Sequence, residues 1–89
     1  MDIDIVCKPS AYKHSVTEAD IRHTYHTRVY EAALDGFPDK YALAGFDTSG
    51  NPVEILYNPV DSDAINVFHA MKVRGTFLAE LGLRREQWL

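Results

Sequence analysis

Two stretches of the chain group residues that could move a proton or hold a phosphate. In Val67-Phe68-His69-Ala70-Met71-Lys72-Val73-Arg74, an imidazole stands ahead of two permanent cations. Imidazole accepts or donates protons near neutral pH, and fixed cations stabilise a phosphoryl group as it gains charge. Lys13-His14 repeats the pairing just ahead of a helix start, where free amide groups also favour anions. His69 has a structural alternative: by the period of two it shares a strand face with Ile65 and Val67, as a packed histidine would. For Lys13-His14 the alternative is a solvated loop pair.

A third group, His23 and His26, has the i, i+3 spacing that puts two rings on one helix face, as a metal pair requires. Asp20 lies one turn earlier, but no carboxylate or thiol completes a ligand set at recognisable spacing. No metal centre is expected, and these rings read as an exposed polar face. The chain has no Gly-rich phosphate loop, no Cys-x-x-Cys and no Ser-centred nucleophile elbow, so no cofactor is expected. Cys7 sits in an apolar strand context and reads as core. Asp61 and Asp63 read as turn residues.

The elements that must position these groups follow from periodicity. Ile3, Ile5 and Cys7 alternate as a first strand, which Lys8-Pro9-Ser10 interrupts. Thr17 is an N-cap candidate ahead of Glu18 and Asp20, and Ile21, Tyr25 and Val29 then recur on one helix face. The helix end is open to two readings. Ala32-Ala33-Leu34 favours continuation to Gly36 as the residue after the C-cap. Alternatively, Arg28-Val29-Tyr30 starts an extended segment. Phe37-Pro38-Asp39 reads as loop. Strands follow at Tyr41–Phe46, Val53–Tyr57 and Ala64–Ala70, linked by turns in which Gly50 and Asn51 suit positive φ. A last helix is expected over Gly75–Leu81. The order β-α-β-β-β-α predicts an α+β fold, with an antiparallel sheet of about four strands and helices on one face. Residues 1–82 form one domain in this reading and 83–89 a C-terminal tail.

Composition sets the class. The 89 residues are 46% hydrophobic and 25% charged, ordinary for a globular domain, and one cysteine excludes an intrachain disulfide framework. No apolar run approaches the ~20 residues of a membrane helix. The acidic start Met1-Asp2-Ile3-Asp4 lacks a basic leader region, so a cytoplasmic location without membrane contact is expected. The net charge is −4 but unevenly spread. Lys72, Arg74, Arg84 and Arg85 outweigh Glu80 and Glu86 at the C-terminal end, while residues 1–71 hold five basic and eleven acidic side chains. An anion would be met locally, not by the whole surface.

Lys13-His14-Ser15-Val16-Thr17-Glu18-Ala19 resembles the Lys-His-Gly-(Val/Ile)-(Ser/Thr) segment that opens the first helix of BrnT-type toxins, small ribonucleases of RelE-like fold. Tyr41–Asn51 is similar to that family's strand–turn pattern, an apolar-Gly step leading into a Ser-Gly turn. His69-Ala70-Met71-Lys72 falls where the family has an Ala-Arg-Lys-type run. The likeness spans residues 10–81. Ser15 replaces the family's glycine, Met71 replaces a cation, and His69 stands where serine is frequent.

The resemblance implies a RelE/BrnT-like fold and a metal-independent endoribonuclease acting as the toxin of a type II toxin–antitoxin pair. His69 would then be the acid/base, and Lys72 and Arg74 would stabilise the phosphorane. Lys13 and His14 would bind the phosphate or share the proton transfer. A cognate antitoxin protein, RNA and a second copy in a homodimer are the implied partners, with Trp88 and Leu89 as partner contacts. The alternative is a non-catalytic protein-interaction module of the same fold, which the acidic balance and Met71 favour. A metal-dependent hydrolase using His23, His26 and His69 lacks supporting carboxylate spacing.

Overall fold

A computed structural model describes residues 3–73. Strand β1 (Asp4–Cys7) leads into a short 3-10 turn (Pro9–Tyr12) and helix α1 (Glu18–His26). Strands β2 (Tyr30–Leu34), β3 (Phe37–Phe46), β4 (Pro52–Asp61) and β5 (Ala64–Lys72) follow. They form one five-stranded sheet in the order β1-β5-β4-β3-β2. The four later strands are a meander of antiparallel neighbours, and β1 lies parallel to β5 at the edge. The sheet is therefore mixed and has one strand more than the sequence predicts. The helix expected over Gly75–Leu81 and the boundary at residue 82 lie outside the described residues.

The extra strand comes from the segment that reads locally as helix. The Thr17 hydroxyl accepts from the Asp20 amide at 3.2 Å, as an N-cap should, but α1 stops at His26. Residues Tyr30–Leu34 then pair with β3. Ala32 and Ala33 carry good helix propensity, which the ladder to β3 overrides. Val29, expected on the apolar helix face, is 54% exposed beyond the helix end. Gly36 does take positive φ, 78°, but in the two-residue connection of a β-hairpin. Phe37-Pro38-Asp39 opens β3 and is no loop. Pro38 sits where the β2–β3 register slips, a place that tolerates its missing amide. At the β3–β4 turn Gly50 takes positive φ as expected and Asn51 does not. The Asp47 carboxylate holds this turn by accepting from the Ser49 and Asn51 amides.

The two faces of the sheet differ. On one, Leu43, Val53, Ile55, Ile65, Val67 and Ala70 pack with Ile5, Ala11, Val16 and Ile21 into the core. Helix α1 lies on this face so closely that a methyl on Gly45 would overlap the Thr24 carbonyl. Polar bonds pin the helix to β3. The Thr27 hydroxyl accepts from the Phe46 amide at 3.0 Å, and the His23 Nδ1–H donates to the Phe46 carbonyl at 2.8 Å. At the helix start, Asp20 accepts from the Thr48 amide and hydroxyl at 3.0 and 2.7 Å. These bonds hold the Asp20 carboxyl below its usual pKa of 3.8. By pleat alternation Ala42, Ala44, Glu54 and Leu56 face the opposite way.

Candidate functional site

The site grows from an irregularity in β5. Leu56 of β4 faces His69, yet the next residue, Tyr57, faces Val67. Phe68 is thus an extra residue, a β-bulge, and it reverses the alternation. Ile65, Val67 and Ala70 stay in the core, while His69 turns to the opposite face beside Leu56. The expectation that His69 shares a face with Ile65 and Val67 is therefore corrected. The bulge's carbonyl is not orphaned, because the Ser10 hydroxyl donates to the Phe68 oxygen at 2.7 Å.

That bond also explains how a distant loop reaches His69. β1 ends beside Val67, and the Lys8 amide donates to the Val67 carbonyl at 2.8 Å. The 3-10 turn continues along β5, and Ser15 reverses the chain at φ 65° before α1 begins. This is the position where the resembling toxins carry glycine, and the backbone supplies the reason: only glycine takes this conformation without strain. The reversal leaves His14 exposed and brings its ring to His69, with centroids 5.4 Å apart and planes at 67°.

Glu54 completes the group. Its Oε2 lies 3.8 Å from His69 Nε2, and its side chain is 10% exposed against 25% for His69. The carboxylate is too far for a hydrogen bond but lies in ion-pair range of the ring. Sequence reasoning passed over Glu54, although an acid between Val53 and Ile55 could have been noticed as the polar position of a strand otherwise apolar. In sum, the structure brings His14 and His69 together, adds Glu54, and leaves Lys13 exposed beside His14. Lys72 pairs with Val53 and so stands on the core-side pleat, opposite His69. Arg74, Trp88 and Leu89 lie outside the described residues.

The other histidine pair serves the helix. His23 is spent on the Phe46 carbonyl, and His26 packs edge-on against Tyr25. Among the described residues no cluster of three or more potential metal ligands occurs. None of their helices is long and apolar enough to cross a membrane.

A second polar group lies on the α1 side. The Tyr57 hydroxyl donates to Glu31, Tyr41 stacks on Tyr57 at 5.5 Å, and the Arg28 guanidinium lies 4.3 Å over Tyr25. Burial first, then the bond to Glu31, pushes the Tyr57 hydroxyl well above its ordinary pKa. Tyr57 therefore stays a neutral donor, and the cluster reads as a structural clasp closing one end of the core.

In the comparison with solved structures, the chain is similar to a 1.1 Å crystal structure of the Brucella abortus ribonuclease toxin BrnT, with a TM-score of 0.61. The match covers 81% of this chain and 97% of that one at 15% identity. The chain has the BrnT fold, in agreement with the resemblance read from residues 10–81. No protein-family model matches the chain, and no curated protein matches its sequence.

Proposed function

We propose that this chain is a metal-independent endoribonuclease, the toxin of a toxin–antitoxin pair. The observation that carries the reading is the contact between His14 and His69, with Glu54 behind His69. Cleavage of RNA without a metal needs a base and an acid at one phosphate. One imidazole removes the 2′-hydroxyl proton, and the 2′-oxygen attacks the phosphorus. The other protonates the departing 5′-oxygen. The products are a 2′,3′-cyclic phosphate and a free 5′-hydroxyl, and the two histidines have exchanged protonation states. Glu54, 3.8 Å from His69 Nε2, positions the ring. Lys13, beside His14, positions the phosphate. Lys72 ends the same strand on the other pleat and offers charge at the rim, and Arg74 is the candidate second cation.

The acidic net charge is compatible with this reading because four of the acids collect at one end of the sheet. Asp35 and Asp39 flank the β2–β3 hairpin tip, and Asp61 and Asp63 the β4–β5 turn, both at the same end of the sheet. Lys72 and the β3–β4 turn stand at the other end. A protein antitoxin would cover the His14–His69 face, with Trp88 and Leu89 as candidate contacts, and a second copy would pair through the sheet edge.

The test is cleavage of single-stranded RNA by the purified chain at low salt with EDTA present. Wild type should yield cyclic-phosphate ends, and His69→Ala should lose activity while keeping its circular-dichroism spectrum. Equal cleavage by both proteins would remove His69 from the chemistry. A folded wild type that neither cuts nor retains RNA would make the non-catalytic interaction module the better reading.

A further inference from the structure

We propose that Phe37, Lys40 and Phe68 form a stacking subsite for one base of single-stranded RNA, next to the cleavage site. The inference deepens the ribonuclease reading and rests on it.

Three observations converge. The Lys40 ammonium lies 5.2 Å from the Phe37 ring centroid and 5.3 Å from that of Phe68, so one cation bridges two aromatic faces. Phe37 is 53% exposed, and its ring contributes little to the core. Phe68 is the bulge residue immediately before His69, so one irregularity sets both the catalytic imidazole and a ring. Lys40 shares the pleat of Ala42, and Ala42 is opposite Leu56, the partner of His69. Lys40 and Phe68 thus belong to the same side of the sheet as His69, across from α1, and the Lys40 ammonium reaches Phe37 from there.

A lone exposed phenylalanine needs no explanation. Two rings joined by an ammonium beside a proposed phosphate site have the chemistry that holds unpaired bases. Every base offers a π-face to a ring, and a lysine neighbour can leave the ring for the flanking phosphate. The surrounding charge limits the subsite to a single base. Asp35 and Asp39 flank Phe37 in sequence, and Asp61 and Asp63 lie at the same sheet end. They repel a backbone continuing that way and direct the strand toward Lys13. Duplex RNA, whose bases stay stacked on one another, gains nothing here.

The experiment is fluorescence anisotropy with a labelled 2′-O-methyl RNA 12-mer, which lacks the nucleophile and cannot be cut. Phe37→Ala should weaken binding about tenfold, and Phe37→Trp should restore it. Lys40→Gln should reduce the slope of log affinity against log salt by about 0.7, one single-strand phosphate contact. A duplex of the same sequence should bind Phe37→Ala and wild type equally. Wild-type affinity in Phe37→Ala, with His69-dependent cleavage intact, would overturn the subsite and leave the ribonuclease reading standing. Failure of wild type to bind the 12-mer at low salt, with no cleavage of ordinary RNA, would overturn both.

Discussion

The two faces of the sheet use their residues in opposite ways. The α1 face is closed by backbone contact. Gly45 lets the helix sit on β3, Thr27 and His23 bind Phe46, and nearly every inward side chain is apolar. The other face places Glu54, His69 and the Phe68 bulge beside two small buried residues, Ala42 and Ala44. Polar groups on the first face serve the fold by bonding to backbone. Those on the second gather at the contact between His14 and His69. In the proposed reading stability and chemistry fall on different sides of one sheet, and variants should separate them.

The largest expected effect is on the second face. His14→Ala should lower the cleavage rate by about 10²–10⁴-fold, the range for removing a general acid or base, with little change in melting temperature. A drop in stability alone would mean that the contact with His69 is structural. On the first face, Gly45→Ala should destabilise by about 3 kcal/mol, since α1 must lift from β3 to admit a methyl. Urea unfolding measures this, and an unchanged midpoint would show that the helix has room the structure denies. Asp20 gives a smaller, pH-dependent effect. Its pKa is lowered on folding, chiefly by Thr48, so its stabilisation is full above the unfolded value of about 3.8. That stabilisation fades as pH falls through the lower folded value. Asp20→Ala should therefore narrow the stability difference between pH 7 and pH 3, read from melting curves at both. The smallest change is Ser15→Gly, expected to stabilise by about 0.5–1 kcal/mol by relieving the positive φ. Destabilisation instead would mean that the serine side chain holds the loop that presents His14.

The division between the faces was only partly legible in the sequence. Alternation in Val53–Tyr57 located β4 and its buried set of Val53, Ile55 and Tyr57. The order of short motifs from Lys13-His14 to His69-Ala70-Met71-Lys72 pointed to the fold that the structure shows. Two features were hidden for physical reasons. Asp35-Gly36 suits both a helix terminus and a hairpin tip, and only the pairing of β2 with β3 decides between them. The bulge at Phe68 leaves no mark in residue type, since no glycine signals it, yet it moves His69 to the other face. Glu54 went unseen because its closeness to His69 depends on that same shift.

The most direct test of paired-imidazole catalysis is the pH dependence of kcat/KM for a short RNA, measured for wild type, His14→Ala and His69→Ala. Wild type should give a bell, and each variant, at its reduced rate, should lose a limb of it. A profile whose shape neither substitution alters would contradict the assignment of base and acid to His14 and His69.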